Sequence, residues 1–420
     1  MQVFKFGGAS VKDAKNIKNM TEIVKNSASD NLLIVVSAIG KTTNALEELT
    51  NNYYRGNESV FENLNNIKKY HFDIIDELFE KKYTKVYDDI NNTFVEIEWA
   101  IEDEPQDSYN FIYDQIVSIG ELLSSKIISH YFNFIDINNR WVDARSFIQT
   151  DNTYREAHVN WSKTTELIEN QLPSILKNQI IVTQGFIGNT SENFTTTLGR
   201  EGSDYSAAIF ASCLNAEKLV VWKDVPGILN ADPKRFPEAI KFEELSYANA
   251  IEMTYYGASI IHPKTIKPLQ NKNIPLYVKP FLQPEETGTI IKETDSVTHT
   301  PSIIVKSSQQ LLSISSKDYA FISEKHLSYI FNAFSETQIH INMMQISALT
   351  FSVCIDQDLQ KFEKLKSIIQ ADFSFRYNLD LELFTIRNFD DETILKYIDS
   401  SNVILEQRSR NNAQFIVKNN

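Results

Sequence analysis

The chain has 420 residues, 42% hydrophobic and 23% charged, enough to bury a sizeable core and, at ordinary domain sizes, to form two or three domains. A formal net charge of -14 argues against a nucleic-acid or anionic-membrane surface, and no apolar run approaches the roughly 20 residues of a membrane span. The two cysteines, Cys213 and Cys354, lie far apart without CxxC or Cys-His spacing, which argues against a disulfide framework and a zinc site and fits a reducing, cytoplasmic setting.

The opening MQVFKFGGAS reads as a strand running into glycines rather than as a signal peptide. Val3 to Phe6 forms that strand, a polar helix follows, Leu32 to Val36 is the next strand, and a further helix begins near Thr43. Alternation of this kind predicts an α/β fold with a doubly wound, mainly parallel sheet, whose ligands sit outside the carboxyl ends of the strands. Lys5 lies inside the first strand, where an unpaired ammonium is costly, so it should meet either a protein carboxylate or a ligand phosphate. Gly7 and Gly8 end the strand without side chains, leaving room for a phosphate against the backbone, although the same residues also suit a plain turn.

The second strand ends in SAIGKTTN, whose Gly40-Lys41-Thr42 resembles the end of a P-loop. The match fails because Val35 stands where that loop requires its first glycine. Ser37, Thr42, Thr43 and Asn44 instead offer polar groups that can hold a substrate or simply cap the helix. Residues 45–132 turn helical and charged, as a lid or subdomain would, and Ile112, Ile116, Ile119, Leu122, Leu123 and Ile127 mark one buried stripe. Within it Gly120-Glu121 interrupts good helix formers, which suggests close backbone approach or an anchoring carboxylate, against the alternative of a solvent-facing glutamate.

Strands are expected at Ile180 to Val182, Lys218 to Trp222 and Ile274 to Val278, with a helix from Ser246 to Tyr256 between the last two. TQGFIG follows the first of these as a glycine turn. TLGREGSDYSAA then opens a small-residue helix, where free amide groups and the helix dipole favour an anion. Arg200 adds charge there, and Asp204 suits a metal or an ammonium; an ordinary capped turn has the same residues. Asp224, Gly227, Asp232 and Lys234 cluster in WKDVPGILNADPK, a loop that suits a nucleotide or a routine turn. Pro280, Pro284, Gly288 and Pro301 mark a boundary, after which strands at Gln310 to Ser315, Ile339 to Gln345, Thr350 to Ile355 and Leu381 to Arg387 alternate with helices at Glu324 to Glu336 and Leu359 to Ile369. A shorter echo follows, with a helix at Glu392 to Ile398 and strands at Val403 to Gln407 and Ala413 to Val417, and no final helix.

In this order, KFGGAS, SAIGKTTN, the Gly-Glu helix, TQGFIG, TLGREGSDYSAA, WKDVPGILNADPK and YGASIIHPKTI resemble the aspartokinases of the amino-acid kinase superfamily, over nearly the whole chain. The resemblance implies a catalytic domain over 1–285, a linker over 286–302, a ferredoxin-like α+β ACT domain over 303–387 and a partial second one over 388–420. It implies transfer of phosphate from ATP, with Mg²⁺, to the β-carboxylate of L-aspartate, the first step toward lysine, threonine, methionine and isoleucine. Lys5 and Asp204 would then be catalytic, and Lys5, Gly7, Gly8, Ser10, Lys223, Asp224, Leu229 and Lys234 would contact ATP. Arg200 would hold a carboxylate of aspartate and Glu121 its ammonium, with Ser37, Thr43, Phe186 and Ser203 as pocket walls; no residue is assigned to a metal. A lysine or threonine effector at the ACT domains and a homodimer or higher homo-oligomer also follow from the resemblance.

Four positions depart from the family pattern. Glu201 puts an extra negative charge beside two anionic substrates and is expected to turn outward; Leu229 stands where relatives often have tyrosine, and Ser259 where some have lysine. Asn342 replaces an aspartate of lysine-sensitive relatives, removing a partner for an effector ammonium. Other readings are a kinase of the same superfamily acting on glutamate, acetylglutamate or a nucleotide, and a non-catalytic amino-acid sensor.

Overall fold

The structure, a computed structural model, describes residues 1–27, 31–258, 261–294 and 300–418. The chain divides into two compact units, Met1–Ile228 with Lys241–Ile251 and Ile260–Ser296, and Leu229–Ile240 with Glu252–Ser259 and Val297–Asn420.

The first unit begins with β1 (Gln2–Phe6), α1 (Ala14–Lys25) and β2 (Leu32–Val36), then a run of helices α2 (Thr42–Tyr54), α3 (Val60–Phe79), α4 (Thr84–Ala100), α5 (Tyr109–Val117) and α6 (Ile119–Phe134). It continues through β3 (Asn139–Trp141), α7 (Trp161–Leu176), β4 (Ile180–Gln184), the hairpin β5 (Ile187–Asn189) and β6 (Thr195–Thr197), α8 (Gly202–Cys213) and β7 (Lys218–Lys223). Beyond these come β8 (Glu244–Ser246), α9 (Tyr247–Tyr255), α10 (Pro263–Asn271), β9 (Leu276–Pro280) and β10 (Thr289–Lys292). Eight strands form one sheet in the order β3-β4-β2-β1-β7-β9-β10-β8, parallel except where β9 meets β10. The order reverses at β1, between β2 and β7, so the crevice for a ligand lies at the carboxyl ends of these strands.

The central strands are apolar on both faces, as expected of parallel strands covered by helices: every residue of β2, Leu-Leu-Ile-Val-Val, is buried. The predicted apolar stripe from Ile112 to Ile127 is buried throughout, but it is shared by two helices. The register resets at Ser118, whose hydroxyl donates to the Gln115 carbonyl at 3.2 Å instead of leaving the helix ladder undisturbed.

The second unit contains β11 (Ser302–Ser316), α11 (Glu324–Glu336), β12 (Ile341–Ile346), β13 (Thr350–Asp356), α12 (Leu359–Ile369), β14 (Phe373–Arg387), α13 (Asp391–Tyr397), β15 (Val403–Arg408) and β16 (Asn412–Lys418). They make one antiparallel sheet in the order β12-β13-β11-β14-β16-β15. β11 and β14 are three times the length of ordinary short strands because each serves two modules. Gln309 to Ser316 pairs with β13 and with the first half of β14, whereas Ser302 to Lys306 pairs with the second half of β14, which in turn pairs with β16. Register shifts near Ser308 and Asp380, both in the left-handed region, bend the two strands between modules. This is the architecture of two ACT-like βαβ modules fused edge to edge.

The boundaries drawn from composition therefore change. The division at residue 387 corrects to one that runs across β11 and β14, since Ser302 to Lys306 belongs with the second module. The catalytic span 1–285 also yields residues 229–240 and 252–259 to the C-terminal unit. The physical reason lies in the missing last helix: Ala231 and Phe236 pack with Ile303, Ile386, Ile394 and Phe415, covering the face that a second helix would otherwise cover.

Candidate active site

Lys5 sits in β1 between Val35 of β2 and Val221 of β7, at the middle of the sheet. Its side chain is 9% exposed, and Nζ lies 2.5 Å from Oδ1 of Asp204, whose side chain is 4% exposed. Lys223, the last residue of β7, brings its own Nζ to 3.5 Å of the other oxygen, Oδ2. Burial pushes the Asp204 carboxyl up, but Lys5 and Lys223 outweigh it and hold the group below its ordinary value. Two ammonium groups thus face one buried carboxylate at the ends of β1 and β7. The sequence requirement that Lys5 meet an anion is thus satisfied by Asp204, which the first turn of α8 presents.

Glycines let the strand-end loops close up. A Cβ on Gly8 would stand 2.7 Å from the Gly40 carbonyl oxygen, and the Gly40 N–H donates to the Gly8 carbonyl at 3.1 Å. Gly185 meets Ser203 with the same intolerance, a Cβ there falling 2.5 Å from the serine Cβ. Phe186 then takes a left-handed φ of 68°, held by hydrogen bonds from its N–H to Ser206 Oγ (2.9 Å) and from Leu198 N–H to its carbonyl (2.8 Å).

Glu121 is buried in the first turn of α6, and its Oε1 accepts the Ala38 N–H at 3.3 Å. Its Oε2 is also buried and has no hydrogen-bond partner among the described residues. Burial pushes this carboxyl up to about 8, only partly offset by the Ala38 N–H and by Lys5. Gly120 makes the close approach expected of it, since an added Cβ would sit 3.1 Å from both Ala38 Cβ and Leu46 Cδ1. An orphaned oxygen in such a place is a receptor for an incoming donor, and an ammonium suits it best.

The remaining predicted residues divide by environment. Ser203 is buried beside Gly185, and Ser37, Thr43 and Phe186 are half-buried. Arg200 is exposed, and among the described residues it makes no ion pair. Gly7 lies over Lys5, its would-be Cβ 3.4 Å from Nζ. Ser10 is buried, and its hydroxyl donates to the Trp222 carbonyl at 3.3 Å, tying the turn after β1 to the end of β7. Asp224 is exposed where the chain leaves β7, and Leu229 and Lys234 belong to the C-terminal unit. Ser259 lies outside the described residues. Glu201, with φ 54°, spends its carboxylate on the backbone N–H of His262, the N-cap of α10, at 2.8 Å. Sequence reasoning passed over Asp114, a buried carboxylate whose only signal was an acid placed inside an apolar helix stripe.

Residues 1–280 match the family model described as the amino acid kinase family, and the chain belongs to that family. The lysine-sensitive aspartokinase 3 of Escherichia coli is 30% identical over 356 residues, covering 84% of this chain and 78% of that protein. The crystal structure of E. coli aspartokinase III in complex with aspartate and ADP superimposes with a TM-score of 0.83 at 26% identity, over 100% of this chain and 96% of that one. The lysine and aspartate complex of the same enzyme gives 0.82 at 27%, with the same coverage. Within the family the chain stands with the aspartokinases.

Proposed function

We propose that the chain transfers the γ-phosphoryl group of ATP to the β-carboxylate of L-aspartate, giving 4-phospho-L-aspartate and ADP. An acyl phosphate of this kind opens the route to lysine, threonine, methionine and isoleucine. The observation that carries the reading is the placing of two ammonium groups, Lys5 and Lys223, on buried Asp204 at the carboxyl ends of the central parallel strands. Both reactants are anions, and the transferring group keeps its charge on oxygens, so fixed cations stabilise the transition state more than the separated reactants. Asp204 orients the two lysines and keeps them from splaying apart. Lys5, in a strand with neighbours on both sides, is the better fixed of the two and faces the transferring phosphoryl group.

Aspartate is held by three features. Oε2 of Glu121 takes its ammonium, Arg200 forks onto a carboxylate, and Ser37, Thr43, Phe186 and Ser203 wall the pocket. ATP lies along Gly7, Gly8 and the turn that Ser10 anchors, with Lys223, Asp224, Leu229 and Lys234 as its nucleotide contacts. Mg²⁺ arrives with the nucleotide, adding positive charge at the phosphates. An ion bound in this way takes most of its ligands from phosphate and water.

The C-terminal unit is the regulatory and pairing module of this reading. Its outer strand β12 leaves Met344 and Ile346 about half exposed (47% and 51%) on a sheet edge, which favours a homodimer or higher homo-oligomer through that edge. Lysine, the ligand of the E. coli relative, is the first effector to test, with threonine second. Among the described residues no helix is long and apolar enough to cross a membrane, in keeping with a cytoplasmic enzyme. Hydroxylamine trapping of the acyl phosphate tests the reaction, run with aspartate, glutamate and acetylglutamate as acceptors. Hydroxamate should form with aspartate alone; formation only with another acceptor, or binding of ligands with no turnover, would reject the assignment.

A further inference from the structure

Asp114 lies in α5 and is fully buried, yet among the described residues no cation pairs with its carboxylate. Three donors hold it instead: Oδ2 accepts the backbone N–H groups of Arg155 (3.0 Å) and Thr197 (2.9 Å), and Oδ1 accepts the Thr197 hydroxyl (2.7 Å). The Arg155 guanidinium turns away over the Tyr113 ring, 4.4 Å from its centroid, and reaches Glu47 Oε1 at 3.6 Å. Burial pushes the Asp114 carboxyl up to about 6, with these hydrogen bonds and the charge of Arg155 drawing it back. A carboxylate buried at such a cost would be replaced without loss by an apolar side chain if it served packing alone.

What it holds is the way out of β6. Thr197 is the last residue of that strand, and its carbonyl accepts the Ala157 N–H at 3.0 Å, joining it to the 155–157 loop. Leu198 is pinned to Phe186, and Gly199 turns through φ 77° with its Cα side against the Arg155 carbonyl, so a Cβ would fall 3.2 Å from that oxygen. Arg200 follows at once. Asp114 thus grips both sides of the turn, and the path from Thr197 to Arg200 has little freedom left.

We infer that Asp114 is a positioning residue for aspartate recognition, fixing the 197–200 segment so that the Arg200 side chain meets the substrate carboxylate. The inference rests on the reading of Arg200 as the aspartate anchor. Asp114 touches no substrate in this account and acts only through Thr197 and Arg155.

Steady-state kinetics of Asp114→Ala and Asp114→Asn, beside Arg200→Ala, tests it. Asparagine can turn its amide oxygen to the two N–H groups and its NH₂ to the Thr197 hydroxyl, so it preserves the grip without the charge. Asp114→Ala should raise the aspartate KM about tenfold or more while the ATP KM stays within about twofold, and Asp114→Asn should return the aspartate KM to within about threefold of the parent, misplacement by a fraction of an ångström being enough for the larger effect. An unchanged aspartate KM in Asp114→Ala, or both KM values rising together without rescue by asparagine, overturns the inference. If Asp114→Ala does not fold, Thr197→Val removes only the hydroxyl donor and should raise the aspartate KM selectively; no selective rise overturns it equally. Arg200→Ala separates the two claims. A raised aspartate KM there with a normal one in Asp114→Ala sinks the positioning role alone, whereas a normal value in Arg200→Ala sinks the anchor and this inference with it.

Discussion

Two lysines in this molecule meet polar groups in opposite ways. Lys5 is buried against Asp204, which Lys223 also faces, so two ammonium groups meet one carboxylate directly. Lys306, in the C-terminal unit, donates to Asn342 Oδ1 at 2.7 Å, while the Asn342 amide donates to Gln309 Oε1 at 2.8 Å and to Asp356 Oδ1 at 2.9 Å. Gln309 adds a further bond to Asp356 at 2.9 Å, and one ammonium is balanced by one carboxylate. The first cluster lies at the carboxyl ends of parallel strands, where a ligand binds; in the second, side-chain amides link the charged groups. Charges in direct contact at a strand-end crevice mark a site, whereas an amide-linked network marks a structural joint.

Lys5→Ala breaks the comparison most severely. Turnover should fall on the order of a thousandfold or more, because a fixed cation on the transferring group is lost, while thermal unfolding shows the protein still folded. Near-normal turnover would reduce Lys5 to a structural contact like that of Lys306.

Glu121→Gln comes next. Losing a charge-assisted hydrogen bond, about 1.5–3 kcal/mol, should raise the aspartate KM roughly 10- to 100-fold. The free enzyme keeps a proton on Glu121 up to a pH of about 8, so binding of the aspartate ammonium at pH 7 should release close to one proton. Calorimetry in buffers of different ionisation heat reads this directly, and Glu121→Gln should abolish the release. The same proton sets a stability trend. Between the ordinary value of 4.5 and about 8 the native state holds a proton that the unfolded chain has lost, so this residue's contribution makes stability fall as pH rises through the window. The glutamine variant should flatten that fall, and a steeper alkaline loss in the variant would contradict the burial argument.

Arg200→Lys should raise the aspartate KM about tenfold with little effect on ATP, since an ammonium cannot reproduce a planar fork and one charge-assisted bond is forfeited. An unchanged aspartate saturation curve would remove Arg200 from the pocket. Smallest is the test of the amide-linked network. Lys306→Ala frees Asn342 and Asp356 for an outside ammonium and should make lysine inhibition a few-fold stronger, one exposed charge contact being worth under about 1 kcal/mol. Identical inhibition curves would mean that Lys306 does not shield the amide.

Much of the site was legible because its signals are local. A lysine inside an apolar strand demanded a partner, and Gly120 beside Glu121 suggested a close approach, which its contacts with Ala38 and Leu46 make. The helices at 324–336 and 359–369 stand where their periodicity put them. Three-residue strands such as β3, β5 and β8 carry too few positions to show a period and were passed over. The full length of β11 and β14 was not read from the sequence, because bulges near Ser308 and Asp380 carry each strand on from one module into the next.

The sequence by itself determined which segments are buried strands, where the chain needs residues without side chains, and that an ammonium in β1 must find a negative partner, since these follow from local sterics and the cost of desolvating charge. Only the tertiary structure decided that the partner is Asp204, about two hundred positions away, that Lys223 shares it, and that one Glu121 oxygen is left without a donor. It alone also gave residues 229–240 to the C-terminal core. Such pairings depend on which surfaces close on one another in space, and no spacing along the chain encodes that.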